Sequence, residues 1–482
     1  MMEFRHRDYQ KAIRDFVLQR PRCNVFAGMG TGKTGTIAHV IDLWKLFGVT
    51  QRTLVLAPKR VALSTWPDEF AKWHGLRDLR CVAAIGSAEQ RLAALRSDAD
   101  VVTINYDNVE WLIETMGAAW DFDTVIPDES TRLKGHRVAM RKHHKTGKEF
   151  YAGQGGARAK ALAKIAHTKV RRWINLTGSP APNGLEDLWG QTWFVDGGRR
   201  LGRTFTAFSE RWFRHVPRGD RLVLEPLPFA EEQIRAAIAD VSISIEARDY
   251  MDLPDLVESE VYVDLPAAAR KAYRELEREF FTQWEEHQFA TFDSGAKMQK
   301  LLQFASGAAY TDDRGSWALV HDEKIDALRS IIAEASGTPV LVSVQFKSDR
   351  ARILAAIKGA RDLDANPQTI RDWNAGRIPV LTAHPKSAGH GLNLQDGSCI
   401  LADFSSGFNL EEDEQIIERI GPTRQAQAGH PRTVYRRRIV ARDTLEELAV
   451  LPALRRKASV QDSLKAALKS RNTGIARMRN SA

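Results

Sequence analysis

Between residues 22 and 177 short apolar runs alternate with helix-like stretches, and this alternation constrains the fold more than any other feature of the sequence. Buried parallel strands read as continuous runs of Val, Ile and Leu, and crossover helices cover the sheet that they form. The runs that fit are RCNVFA, RTLVLA, LRCVAA, DVVTI, FDTVI and WINLT. We therefore predict a first α/β lobe with a parallel sheet.

The same alternation resumes after residue 335, where TPVLVSVQF, RIPVLTAH, SCILADFSS and TVYRRRIV are predicted strands. The stretch between them differs, because it carries long, charged and aromatic helical patterns such as AAARKAYRELEREFFTQWEEH. A chain of 482 residues is long enough for two or three domains. We predict a first lobe over 1–200, a helical insertion or linker over 201–334, a second lobe over 335–450 and a basic helical tail over 451–482.

Charge favours a polyanionic partner, since the net charge is +9 and the sequence pI is about 9.4. Residues 131–172 hold thirteen Lys or Arg against one acid, Glu149. This segment is either a nucleic-acid contact or a solvated basic loop. The charged N-terminus and the lack of any apolar run near ~20 residues predict a cytoplasmic protein with no membrane segment. Three scattered cysteines without a CxxC pair argue against a zinc site or a disulfide framework.

The segment AGMGTGKT, Ala27–Thr34, follows a predicted strand and opens a predicted helix, which is the context of a P-loop. Its glycines let the backbone N–H groups surround phosphate, Lys33 can reach the β- and γ-phosphates, and the Thr34 hydroxyl can hold Mg²⁺. Ala27 stands where glycine is commoner in such loops. The residues predicted to bind nucleotide here are Gly28, Met29, Gly30, Thr31, Gly32, Lys33 and Thr34.

An acidic pair follows another predicted strand in FDTVIPDEST, residues 122–131. The carboxyl ends of parallel strands form the edge where open sheets bind ligands. We predict that Asp128 completes the Mg²⁺ shell and that Glu129 polarises the attacking water as general base. Pro127 lacks a backbone donor, which suggests that the strand ends there.

With these two motifs in place, the sequence resembles superfamily 2 helicases, and within them the Swi/Snf-like branch of DNA translocases in the compact form found in bacteriophages. The resemblance runs nearly end to end. TLVLAPKRVALSTWPDEFAKW resembles motif Ia, VVTINYDN the next DNA-facing segment, LTGSPAPNGLEDLW motif III, VLVSVQF motif IV, KSAGHGLNLQ motif V and ADFSSGFNLEEDEQIIERIGPTRQ motif VI.

The resemblance implies an α/β fold with two RecA-like parallel-sheet lobes and a helical insertion between them. It implies that Gln10 reads the adenine edge, and that Thr177 and Ser179 couple nucleotide state to DNA contacts. Motif V would add Gly391 and Asn393 to the nucleotide site. Motif VI would supply the arginine finger as Arg419 or Arg424, which stand five apart where the family usually has three; Arg424 is favoured.

The expected activity is DNA-stimulated hydrolysis of ATP with Mg²⁺, in which lobe closure moves a monomeric motor along DNA with little regard to sequence. Phage replication, recombination or repair would use such a motor. The alternatives are an RNA helicase of the same superfamily, a restriction-type DNA translocase, and a P-loop protein with another role. The residues predicted to contact nucleic acid are Lys59, Arg60, Asn105, Lys134, Arg141, Lys142, Lys145 and Gln345.

Overall fold

A computed structural model of the chain divides it into two compact units. The described residues are 3–28, 30–143, 149–218, 221–250, 252–286, 293–312, 315–364, 366–388, 392–430 and 432–459. The first unit takes in the described residues of 1–216, 223–250 and 459–482, and the second those of 217–222 and 251–458. The predicted tail from residue 460 lies outside the described residues.

The first unit is built on a seven-stranded, wholly parallel sheet in the order β11-β1-β8-β5-β2-β4-β3. Hairpins β6–β7 and β9–β10 lie outside this sheet. The strands, in chain order, are β1 Arg22–Ala27, β2 Thr53–Ala57, β3 Cys81–Ala83, β4 Val101–Asn105, β5 Thr124–Pro127, β6 Arg137–Lys142, β7 Glu149–Gln154, β8 Arg172–Thr177, β9 Phe213–Arg218, β10 Arg221–Pro226 and β11 Ser242–Ile245.

Nine α-helices accompany these strands in the described part of the first unit. They are α1 Asp8–Leu18, α2 Lys33–Leu46, α3 Trp66–Lys72, α4 Ala88–Arg96, α5 Val109–Met116, α6 Ala157–Ala166, α7 Asp187–Asp196, α8 Phe205–Trp212 and α9 Ala230–Ile238. The central strands are buried along their whole length, as the apolar runs predicted. Each of the six runs predicted in this part of the sequence is a strand of the sheet.

The second unit contains a six-stranded parallel sheet in the order β12-β19-β18-β15-β17-β16 and a small antiparallel pair, β13–β14. Its strands are β12 Leu256–Val263, β13 Ala308–Tyr310, β14 Trp317–Leu319, β15 Val340–Ser343, β16 Arg361–Asp362, β17 Val380–Ala383, β18 Ile400–Asp403 and β19 Val434–Ala441. Its helices are α10 Ala267–Glu286, α11 Asp293–Ala305, α12 Glu323–Glu334, α13 Lys347–Ala356, α14 Pro367–Asn374, α15 Pro385–Ala388, α16 Leu410–Ile417 and α17 Pro422–Gln427.

The two parallel sheets confirm the predicted α/β class. Residues 201–334, for which the pattern predicts helices, also supply an edge strand to each sheet. β11 pairs with β1, and β12 pairs with β19 over eight residues. Within the described ranges, every helix is either too short or too polar to span a lipid bilayer.

Candidate active site

The predicted phosphate loop, called the phosphate loop below, joins β1 to α2 at the carboxyl edge of the first sheet. Gly30 and Gly32 take left-handed conformations, with φ of +74° and +73°, which glycine adopts without strain. Gly32 also precedes the first turn of α2, and a Cβ there would lie 2.5 Å from Nε2 of Gln10. The left-handed conformation therefore favours glycine at this position, and a Cβ there would also displace the Gln10 amide.

Polar contacts close the loop on itself. The Lys33 ammonium donates to the carbonyl oxygens of Ala27 at 2.5 Å and Gly28 at 3.1 Å. Thr31 Oγ1 donates to the Gly28 carbonyl at 2.8 Å, and Gln10 Nε2 donates to the Thr31 carbonyl at 3.1 Å. The structure thus places Gln10 beside the loop, although the two are far apart in sequence. Thr34 is half-buried in the first turn of α2, and Met29 lies outside the described residues.

The acidic pair follows β5, a central strand of the same sheet. β5 ends at Pro127, as the missing donor suggested, but the Asp128 N–H still donates to the Leu56 carbonyl at 2.7 Å. The Asp128 side chain is 7% exposed and accepts a hydrogen bond from Nε1 of Trp66 at 2.9 Å. Burial raises the pKa of the Asp128 carboxyl, while the Trp66 bond and the Lys33 charge act in the opposite direction.

Glu129 occupies the left-handed region with φ of +59°, an uncommon conformation for a residue with a Cβ. The Tyr106 hydroxyl stabilises this turn, because it donates to the carbonyl oxygens of Asp128 at 2.9 Å and Glu129 at 3.4 Å. Strained backbone of this kind persists where surrounding contacts enforce it, and it concentrates at functional sites.

A fully buried amide, Gln191 on α7, joins the acidic turn to the loop after β8. Its Oε1 accepts from the Ser130 hydroxyl at 2.8 Å, and its Nε2 donates to the Pro180 carbonyl at 2.7 Å. Thr177 ends β8 and Ser179 lies in the loop that receives this contact; both are buried, and the Ser179 N–H donates to Thr177 Oγ1 at 3.1 Å. Gln191 therefore bridges Ser130, the residue after the acidic pair, and Pro180, the residue after Ser179.

Sequence reasoning missed Trp66, Tyr106 and Gln191 as parts of the site. Trp66 is 62 residues from Asp128, Tyr106 is 22 residues from it, and Gln191 is 61 residues from Ser130. No local spacing signals such contacts, because they depend on the order of the strands in the sheet.

In the second unit, the described residues of motifs V and VI meet each other. Arg424 Nη1 donates to Asn393 Oδ1 at 3.0 Å, and burial lowers the pKa of the Arg424 guanidinium. Arg419 follows α16 and is 3% exposed, and its Nε donates to the carbonyl of Gln415 on that helix at 3.1 Å. The Gln345 N–H donates to the Ser405 hydroxyl at 2.8 Å. Gly391 lies outside the described residues.

The predicted nucleic-acid residues of the first unit differ in exposure. Lys59 and Arg60, directly after β2, are exposed, and so are Arg141 and Lys142 on hairpin β6–β7. Asn105 is only 6% exposed, and its Oδ1 accepts from Asn108 at 2.5 Å.

Lys134 is partly buried, with its Nζ 3.8 Å from Asp187 Oδ2. Lys145 lies outside the described residues. Exposure therefore favours Lys59, Arg60, Arg141 and Lys142 over Asn105 as contacts for a polyanion.

The residues present fit a nucleoside triphosphate with a divalent cation. Two left-handed glycines and the first turn of α2 direct backbone N–H groups into one loop, which suits phosphate. The buried Asp128 oxygen and the Thr34 hydroxyl are hard oxygen ligands of the type that Mg²⁺ prefers. Among the described residues there is no cluster of three or more His, Cys, Asp or Glu side chains that could hold a metal by themselves.

Comparisons with known proteins place the chain in one family. The model of the SNF2-related domain matches residues 19–307. Protein p41 of Acyrthosiphon pisum secondary endosymbiont phage 1 is 50% identical over 473 residues, which cover 97% of this chain and 100% of that protein. "Probable ATP-dependent DNA helicase CHR12" of Arabidopsis thaliana is 28% identical over 211 residues, covering 40% of this chain but 16% of the plant protein.

A solved structure supports the fold. The helicase domain of Hef from Pyrococcus furiosus superposes with a TM-score of 0.51 at 14% identity, covering 92% of this chain and 96% of that one. The two parallel-sheet units are accordingly two RecA-like lobes.

Proposed function

This chain belongs to the SNF2-related family, and from that premise we propose that it is a DNA-stimulated ATPase that moves along DNA. The observation that carries the proposal is the shared sheet edge of the first lobe. There the phosphate loop after β1, the acidic pair after β5 and the Thr177 loop after β8 follow neighbouring strands in the order β1-β8-β5.

In the proposed reaction, Lys33 leaves the carbonyls of Ala27 and Gly28 and binds the β- and γ-phosphates of ATP. Thr34 and Asp128 hold Mg²⁺, which neutralises charge on the phosphates when bound. Glu129 orients and deprotonates the attacking water. Trp66 Nε1 donates to Oδ2 of Asp128 and would hold this carboxylate in a fixed orientation for the cation.

An arginine of the second lobe is proposed to stabilise the transition state, which makes hydrolysis depend on lobe closure. Arg424 is the better candidate. Its Nε makes no hydrogen bond among the described residues, whereas Arg419 is almost fully buried and its Nε donates to a carbonyl of α16. Asn393 would hold Arg424 in position through the bond at 3.0 Å.

DNA is the proposed polymer, contacted mainly through its phosphates by the exposed basic residues Lys59, Arg60, Arg141 and Lys142. The Arabidopsis relative that is named as a DNA helicase supports this choice over RNA. The phage relative supports a phage setting, and in that setting the proposed uses of the motor are DNA replication, recombination or repair.

The direct test is ATP hydrolysis by the full chain alone and with duplex DNA, single-stranded DNA or RNA. We expect DNA to raise turnover well above the polymer-free rate. Stimulation by RNA alone would replace the proposal with an RNA helicase, and a rate that no polymer changes would refute the motor. Strand displacement on forked and blunt duplexes, measured beside triplex displacement, then separates unwinding from movement along duplex.

Neutralising Arg141, Lys142, Lys145 and Lys148 together is expected to weaken DNA binding and to flatten its salt dependence. Each phosphate contact that is lost should reduce the slope of log K against log salt by about 0.9 on duplex DNA. Binding curves at several salt concentrations measure this change. The matched control neutralises Lys72, Arg77, Arg80 and Arg96, four exposed basic residues of the first lobe. Equal slopes for both variants would assign the basic segment to solvated surface.

A further inference from the structure

Hairpin β6–β7 follows the acidic turn after one short helical segment. The end of the hairpin nearest the sheet, where β6 begins and β7 ends, is held by several contacts. Val138 is 6% exposed and belongs to the core cluster that contains Phe26 and Trp189. The Arg137 guanidinium lies 3.8 Å from the centre of the Phe205 ring and donates to two backbone carbonyls. Directly after β7, Gly155 lies so close to the backbone of Gly135 that a Cβ on Gly155 would be 2.2 Å from the Gly135 carbonyl oxygen.

The outer rungs of the hairpin are, in contrast, exposed and apolar. Met140 pairs with Tyr151, and on the next rung Arg141 pairs with Phe150. The exposed fractions of Met140, Phe150 and Tyr151 are 48%, 45% and 49%. Because successive side chains point to opposite faces, one face presents Tyr151 with Met140 and the other presents Phe150 with Arg141. These outer rungs therefore carry an aromatic ring on each face.

The charge around these rings is positive. Arg141 makes no ion pair among the described residues, and Lys142 has one partner, Glu149, at 3.5 Å. Both members of that pair are more than half exposed, so the pair is weak and the lysine remains accessible to another anion. Exposed aromatic rings beside cations match a nucleic-acid strand, whose bases offer flat faces and whose backbone offers phosphates.

We propose that Phe150 and Tyr151 stack on unpaired bases while Arg141 and Lys142 contact the adjacent phosphates. In a duplex each base face is already covered by its neighbours, so these rings can stack only where bases are exposed. The hairpin then gives the protein a preference for single-stranded or locally unpaired nucleic acid. This inference rests on the proposed function in one respect, the choice of nucleic acid as the polymer.

The test measures binding without ATP, with fluorescently labelled single-stranded DNA, single-stranded RNA and blunt duplex of equal length. Phe150→Ala, Tyr151→Ala and the double variant are compared with Phe229→Ala, which removes a ring of similar exposure, 46%, at the start of α9. Single-strand affinity should fall roughly tenfold for each hairpin ring removed. Duplex affinity should change less than about twofold, and the salt slope should be unchanged because no charge is removed.

A second readout follows stacking directly. The fluorescence of 2-aminopurine in the single strand should change on binding to the wild-type protein, and this change should vanish in the double variant and return with Phe150→Trp. Comparing the affinities for single-stranded DNA and single-stranded RNA shows whether the protein recognises base faces alone or also the sugar.

The proposal is overturned if single-strand affinity is unchanged in the double variant, in which case the rings cover some other partner. It is also overturned if the double variant loses the same factor of affinity for single strands and for duplex and has a lower melting temperature, because the rings then serve stability and not base stacking. Since ATP is absent throughout, a failure of polymer-stimulated hydrolysis would refute the proposed function and leave this result standing.

Discussion

Lys33→Ala is expected to abolish measurable ATP turnover. The Lys33 ammonium is the one described side chain of the phosphate loop that carries positive charge, and the loop holds it against the Ala27 and Gly28 carbonyls, next to where phosphates would sit. Loss of one preorganised group that stabilises transition-state charge costs on the order of 10²–10³ in rate, and weaker nucleotide binding adds to this loss. Steady-state phosphate release, with titration of a fluorescent ATP analogue, measures both effects.

Lys72→Ala is the matched control, because it removes an exposed lysine from the end of α3 in the same lobe. Its turnover and its melting temperature should equal those of the wild type. If Lys33→Ala hydrolyses ATP at a near-normal rate, the loop is not the catalytic phosphate site.

Glu129→Gln is expected to bind ATP with nearly normal affinity and to hydrolyse it slowly. Glutamine keeps the size of the side chain, and both residues must adopt the same left-handed backbone, so the turn held by Tyr106 should persist. A general base contributes about 10²–10⁴ to a rate, which sets the expected loss in kcat. Nucleotide titration and single-turnover hydrolysis separate binding from chemistry.

Glu110→Gln, on the exposed surface of α5, is the control for removing a carboxylate from the same lobe. Should Glu129→Gln retain a normal kcat while Lys33→Ala is inactive, the site would still be an ATPase, but its base would have to be another group.

Local chemistry determined most of what the sequence could reveal. The phosphate loop and the strand ends at Ala27 and Pro127 were predicted because their information is contained in a few consecutive residues. The parallel strands were equally predictable from the sequence, since a strand buried on both faces must be apolar along its whole length. By contrast, β11 has the sequence Ser-Ile-Ser-Ile inside a stretch that reads as helical, and sequence reasoning did not find it.

β11 is a strand because β1 offers it a free edge. The Asn24 amide donates to the Ser242 hydroxyl at 3.1 Å there, so that a polar residue can be buried in the sheet. The exposed rings of Phe150 and Tyr151 likewise became visible only when the register of β6 with β7 was known.

The sequence by itself determined the α/β class, the phosphate loop and the acidic pair, because each depends on backbone conformation and residue type over a short span. Only the tertiary structure decided which side chains support that site. Trp66 reaches Asp128, and Gln191 reaches Ser130, because the sheet brings together strands that are distant in the chain. It also showed that Arg419 is more deeply buried than Arg424, which is one ground for proposing Arg424 as the finger. Burial and hydrogen-bond partners are properties of the packed chain, and no spacing of residues encodes them locally.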